Sequence, residues 1–265
     1  MPFTMATPAQ RRLVETRHRG WVAPAAAQFS FGAYAPSAEL APFLDQFWIT
    51  HWDLDEPFEQ HLVSHPSVNL TITEEFSRVA GVIRGTFHCR MEGTGRVVGA
   101  RFRPGGYRPF LEGPVSQLTG RFLPLHEDEL SAEVLAADDE GAMAAIERFL
   151  LARGPRPDPV VDEVAALVRL VEEDVSVTRV DRLAELAGTS VRSLQRVFND
   201  YVGIGPKWVI RRFRLHEVAA RMNSSEPVDL AALAVQLGYA DQAHLTRDFT
   251  SAIGTPPATY ARTSA

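Results

Sequence analysis

The sequence predicts a multi-domain chain: an α+β half, β-rich and antiparallel, followed by an all-α half made of two helical hairpins joined by a long helix. Three observations carry this. Short aromatic and β-branched runs bounded by turn residues fill the first half. A proline-dense stretch, Gly154-Pro155-Arg156-Pro157-Asp158-Pro159, ends it. Beyond that stretch apolar residues recur at helical spacing, in a pattern that returns about fifty residues later.

Composition bounds the rest. The chain has 265 residues, 45% hydrophobic and 23% charged, enough for a sizeable core in one large domain or two ordinary ones. A net charge of −6 excludes a protein that is basic all over but not one with a local basic face. The single cysteine, Cys89, excludes an internal disulfide framework and a four-cysteine zinc site. No apolar run approaches the roughly 20 residues of a membrane span, and the Arg11-Arg12 pair has no apolar segment behind it. A reduced, cytoplasmic protein is expected, with no membrane partner.

Residues 1–28, rich in Ala, Pro, Gln and Arg without periodicity, read as a frayed or disordered tail. Residues 29–153 read as the β-rich domain. Its strand signals are Phe47 to Asp53, Leu62-Val63, Val68 to Ile72, Val79 to Ile83 and Arg96 to Phe102, with Pro104-Gly105-Gly106 as a turn. Two helices follow, a weak one over 127–136 capped by Ser131, and one over 138–152 with Met143, Ile146, Phe149 and Leu150 on one face. Residues 154–159 are a semi-stiff spacer, since three prolines in five positions block continuation of helix or sheet.

Residues 160–265 read as the helical domain. Val161, Val164, Leu167, Val168 and Val171 give residues 160–173 an inward stripe. In the next hairpin Leu183, Ala184 and Ala187 form an apolar face, and Gly188 closes the first helix. Ser190 caps a second helix, which turns Val191, Leu194, Val197 and Phe198 inward and Arg192, Ser193, Gln195 and Arg196 outward. Gly203 ends it, Pro206 opens a long helix to Met222, and Ser224-Ser225-Glu226-Pro227 breaks that helix. The hairpin then recurs. Leu233-Ala234-x-x-x-Gly238 repeats Leu183-Ala184-x-x-x-Gly188 at an offset of 50, and Leu245 to Phe249, Gly254 and Pro257 repeat Leu194 to Phe198, Gly203 and Pro206 at 51. The extra residue falls in the turn before the Asp241 cap, where insertion is tolerated. A duplicated helix-turn-helix explains a glycine, an arginine, an aromatic and a Gly-x-x-Pro all returning in register.

On these residues the segment from Val160 to Ala261 resembles the AraC/XylS family of bacterial transcription regulators. Its most specific part is Leu233 to Phe249 with Gly254-Thr255-Pro256-Pro257-Ala258-Thr259-Tyr260, although Leu245 stands where that family more often has Phe. His65 to Leu70 and Gly99 to Tyr107 resemble an uncharacterised β-rich domain found ahead of some of these regulators. The resemblance implies a sequence-specific, non-enzymatic DNA-binding regulator, more often an activator. The β-rich half would respond to an effector or self-associate. Double-stranded DNA is the implied partner, with RNA polymerase, a small-molecule effector and a second copy as further candidates, and no cofactor or metal.

A helix with Arg, Gln and Ser on its outer face suits a major groove, because those groups bond base edges and phosphates. Candidate contacts are therefore Arg192, Ser193, Gln195 and Arg196 in the first unit, and Gln242, Ala243, His244, Thr246 and Arg247 in the second. Arg196 and Arg247 lead, since the duplication repeats them; Ala243 offers only a methyl. Between Ser190 and Arg221 seven Lys/Arg face two acids, a balance of +5, and Lys207 and Arg211 are expected on phosphates. Two other readings stay open. In one, His51, His61, His65 and His88 with Glu59 and Cys89 gather a metal in an enzymatic first half, although each fits a structural role and Cys89 a small buried thiol. The basic helical face would also suit an acidic protein partner. No Walker, Gly-x-Ser-x-Gly or Gly-x-Gly-x-x-Gly motif is present.

Overall fold

The computed structural model describes residues 29–223 and 228–263. The tail read in residues 1–28 and the break at Ser224 to Pro227 lie outside them. Strands β1 (Phe29–Tyr34), β2 (Leu44–Val63), β3 (Asn69–Ile72), β4 (Ser77–Ala80), β5 (Thr86–Phe102) and β6 (Phe122–Pro124) form one antiparallel sheet. Their order is β1-β2-β5-β3-β4-β6. Alternation sends Phe47, Ile49, Leu70, Ile72, Val98, Ala100 and Phe102 to one face, each at most 1% exposed. Helices α1 (Asp128–Ala136) and α2 (Asp139–Ala152) cover that face with Leu130, Val134, Met143, Ile146 and Leu150. Each fully buried aliphatic or aromatic side chain here contributes roughly 1.5–3 kcal/mol. On the opposite face Trp48 lies over Gly99, where a Cβ would come within 2.1 Å of the indole.

The sequence expects Leu62-Val63 as a separate strand; it is the end of β2, which runs for 20 residues. A bulge between Leu54 and Phe58, with Pro57 inside it, bends the strand without ending it. Past the bulge β2 and the first part of β5 continue together to the pair Val63 and Thr86. Ser131 is not a cap. It lies inside α1, where its hydroxyl bonds back to the Glu127 carbonyl at 3.0 Å and meets Ser77 Oγ of β4 at 2.6 Å. Helix α2 is capped by Asp138, whose carboxylate accepts from Gly141 N–H at 2.8 Å.

The last proline of the spacer begins a helix instead of preventing one. Pro159 is the first residue of α3 (Pro159–Glu173), where its fixed φ is pre-set and its missing N–H is not needed. Asp158 caps it through Val160 N–H and also accepts from the Tyr201 hydroxyl at 2.7 Å. After it come α4 (Val180–Leu186), α5 (Val191–Tyr201), α6 (Pro206–Met222), α7 (Leu230–Gln236), α8 (Gln242–Ile253) and α9 (Pro257–Thr263). They form two cores, one around Leu194, Phe198, Val209 and Ile210, the other around Leu233, Leu237, Leu245 and Phe249. Residues of the β-rich half complete both: Val82 joins the first and Val63 the second. Among the described residues, no helix is long and apolar enough to cross a membrane.

Candidate nucleic-acid interface

Each helical hairpin is built by the same local chemistry. Helix α4 ends at Gly188, φ +61°, and the Thr189 N–H turns back to the Ala184 carbonyl at 2.9 Å. Helix α7 ends at Gly238, φ +74°, and the Tyr239 N–H returns to the Ala234 carbonyl at 2.9 Å. Ser190 then accepts from Ser193 N–H at 3.1 Å, and Asp241 from His244 N–H at 2.7 Å, which starts α5 and α8 at matching points. Leu194 and Phe198 are buried under α5, Leu245 and Phe249 under α8, so rotation about each helix axis is fixed.

That rotation leaves Arg192, Gln195 and Arg196 exposed on α5, and Gln242, Ala243, His244 and Arg247 on α8. The offset of 51 pairs Arg192 with Ala243, Gln195 with Thr246, and Arg196 with Arg247. Ser193 is half-buried because its N–H and hydroxyl are engaged with Ser190. Thr246 is half-buried, and its carbonyl takes the Thr250 hydroxyl at 2.7 Å. The His244 ring stands edge-on to Tyr239, centroids 5.2 Å apart. Asn199, three residues beyond Arg196 and exposed on the same face, was not singled out from the sequence although helical periodicity places it there.

The basic run divides into two groups, which its charge balance conceals. Arg211 is ion-paired with Asp248 of α8, and that hydrogen bond raises its pKa. Arg212 is 2% exposed and donates to the Arg84 carbonyl at 2.6 Å; burial holds its pKa down to about 10, with Arg211 adding to the effect. Arg214 is half-buried near the Tyr239 ring, and Arg221 pairs with Glu217 at 2.8 Å. Arg192, Arg196 and Lys207 remain exposed, with no ion pair among the described residues. The expectation that acids were too few to tie up this surface is corrected: Asp248 lies 37 residues from Arg211 in the chain, outside the stretch that was counted.

The β-rich half meets α5 directly. Arg108 donates to Asp200 of α5 at 2.9 Å, and the Thr119 hydroxyl bonds the Gly203 carbonyl. A cleft of about 850 Å3 separates α5 from Pro114 and Ser116, at the start of the 3-10 turn Val115–Leu118. Arg192, Arg196 and Asn199 form its other wall. At the second unit the contact lies at the far end of the helix, where the Thr86 hydroxyl reaches the Ala252 carbonyl.

The metal candidates are divided among three places. His51 Nε2 is 3.0 Å from Asp139, His65 packs against Phe213 and His216, and His88 stands opposite His61 across β2 and β5. Among the described residues no group of three or more His, Cys, Asp and Glu is placed to hold a metal ion. Cys89 is half-exposed instead of fully buried; partial burial raises its thiol pKa, with Arg78 opposing.

Residues 183–263 match a helix-turn-helix domain family, and residues 33–124 a domain family of unknown function (DUF6597). An AraC-like transcription regulator of Streptomyces lividans is 34% identical over 103 residues, 39% of this chain and 33% of that protein. The transcription factor PqrA of Proteus vulgaris is 30% identical over 82 residues, 31% of this chain and 66% of that one. The crystal structure of apo ToxT K231A from Vibrio cholerae has 12% identity over 83% of this chain and 98% of that one, at a TM-score of 0.46. The curated relatives matched are regulators, and this chain spans only about a third of the length of most of them.

Proposed function

We propose that this chain, whose residues 183–263 match a helix-turn-helix domain family, is an AraC-type regulator, a sequence-specific DNA-binding regulator of transcription. The observation that carries this is the pair of capped, exposed helices, α5 and α8, bearing Arg196 and Arg247 at equivalent positions and tied together by α6. Two such helices read successive major grooves on one side of a duplex, about 34 Å apart. Arginine pairs with guanine in a bidentate manner, and Gln195 and Gln242 suit adenine. The β-rich half modulates this activity, by binding an effector or a second copy, through contacts it already makes with both units, at Asp200 of α5 and Ala252 of α8. RNA polymerase at the promoter is the further partner, the setting is the cytoplasm, and the protein is not an enzyme.

Selection from random duplex DNA with the full-length protein tests the reading. An enriched motif with two blocks about one helical turn apart is expected, and its symmetry reports whether two copies bind. Arg196→Ala and Arg247→Ala should each relax base preference in a different block, by roughly 1–3 kcal/mol of discrimination. Absence of any enriched motif would falsify the regulator reading; variants that enrich the wild-type motif would reassign these arginines to phosphate.

A further inference from the structure

We propose that the β-rich half is itself part of the DNA interface: one phosphodiester strand beside the first half-site runs through the cleft between α5 and the 3-10 turn Val115–Leu118, against Ser116. This rests on the reading that α5 enters a major groove.

The argument starts from size. A helix with its side chains is about 10–12 Å across and the major groove about 12 Å wide, so a seated helix has a sugar-phosphate strand along each flank. The flank of α5 that carries Asp200 is the one facing the β-rich half. The cleft is where the strand on that flank must pass.

The two walls of the cleft are joined at its base. Gly203, which ends α5 at φ +89°, lies so close to the turn that a Cβ would sit 3.0 Å from both the Val115 carbonyl oxygen and Thr119 Oγ1. The Thr119 hydroxyl bonds the Gly203 carbonyl, and Val115 is 1% exposed. DNA that accepts α5 in this arrangement therefore also meets the turn. The cleft is suited to an anion. Arg192 and Arg196 line it with no ion pair among the described residues, Asn199 lies beside them, and the Ser116 side is exposed. The one carboxylate lining it, Asp200, is neutralised by Arg108. Serine hydroxyls are common phosphate contacts, which position a protein without reading sequence.

The test uses full-length protein and a duplex carrying its selected site. Ser116 is exposed, so charge placed there leaves the core intact. Ser116→Asp should weaken binding about tenfold at low salt, and Ser116→Lys should tighten it and steepen the log–log salt slope by about 0.9, one added phosphate. Neither should alter the enriched motif. If neither variant changes affinity, or if both shift it in the same direction, the strand does not pass the turn and the proposal is overturned. A wild-type protein that enriches no motif removes the underlying reading. An enriched motif with unresponsive Ser116 variants removes only the cleft.

Discussion

In the first unit the residue after Arg196 is Val197, half-buried on the apolar side of α5; in the second the residue after Arg247 is Asp248, 9% exposed on the inner side of α8. Asp248 accepts from the Tyr239 hydroxyl at 2.9 Å and pairs with Arg211 of the connecting helix. Tyr239 comes from the turn that the second copy lengthened by one residue, so insertion and carboxylate belong to one device. The first unit has instead a polar attachment outside itself, to Arg108 and Thr119 of the β-rich half. Both copies meet the β-rich half, the second through Thr86 at the Ala252 carbonyl, but among the described residues only the second adds a buried carboxylate brace of its own.

The brace gives the largest expected effect. Asp248→Ala strands the Tyr239 hydroxyl, in a ring 6% exposed, and leaves Arg211 without its carboxylate. A loss of about 2–3 kcal/mol is expected in urea unfolding, below the value for a fully buried pair because Arg211 is half-exposed. Val197→Ala should cost under about 1.5 kcal/mol, as a small truncation at a half-buried site. The brace also sets a pH limit. Burial, then the Asp248 charge and hydrogen bond, push the Tyr239 pKa up. A phenol with a raised folded-state pKa stabilises fully below its ordinary value near 10 and loses that contribution as pH rises beyond it. Stability should therefore fall above about pH 10, and Tyr239→Phe should flatten that fall. Equal losses in the two valine and aspartate variants would break the comparison.

The helix-ending glycines give a smaller and more local contrast. Gly203 and Gly254 are equivalent by the repeat, with φ of +89° and +92°. Among the described residues a Cβ at Gly254 meets nothing within 4 Å, whereas at Gly203 it presses on the Val115 carbonyl and Thr119. Gly254→Ala should cost about 1 kcal/mol, the left-handed strain alone. Gly203→Ala should cost about 2 kcal/mol, adding the contact, and should increase proteolytic cleavage of the β-rich half. Matching losses with no change in cleavage would mean that the β-rich half is not the support of the first unit.

How much of this was legible depended on how far apart the interacting residues lie. The helical half was readable because its information is local. Gly188, Ser190 and Pro206 each act within a turn of themselves, and the helix expected from Pro206 to Met222 is α6. Strand β2 reads as two strands in the sequence because residues 53–59 carry four carboxylates and a proline; as a paired extension past a bulge, that stretch keeps Asp53, Asp55, Glu56 and Glu59 in solvent. At the site, α5 and α8 expose most of the residues expected of them. The attachments were hidden. Arg108 and Asp200 are 92 residues apart, and nothing near Ser116 marks it as a neighbour of Arg192. Local spacing reveals which face a helix shows, while the fold decides what stands opposite.

Helix α6 belongs to both units, and its two basic residues expected on phosphate now separate. Lys207, in the first turn beside the first unit, is exposed and free of ion pairs among the described residues. Arg211, one turn on, already has a carboxylate in the second unit. Lys207→Ala should weaken binding to every sequence alike and shallow the salt slope by about 0.9. The change in affinity should be under about 1 kcal/mol near physiological salt. Arg211→Ala should move the slope by less than half as much, because no counterion is released from a guanidinium that Asp248 neutralises, and should instead lower the urea midpoint of unfolding. A slope change for Arg211→Ala equal to that for Lys207→Ala would show that Arg211 leaves Asp248 for phosphate on binding. The internal brace of the second unit would then open when DNA arrives, and both units would be oriented from outside.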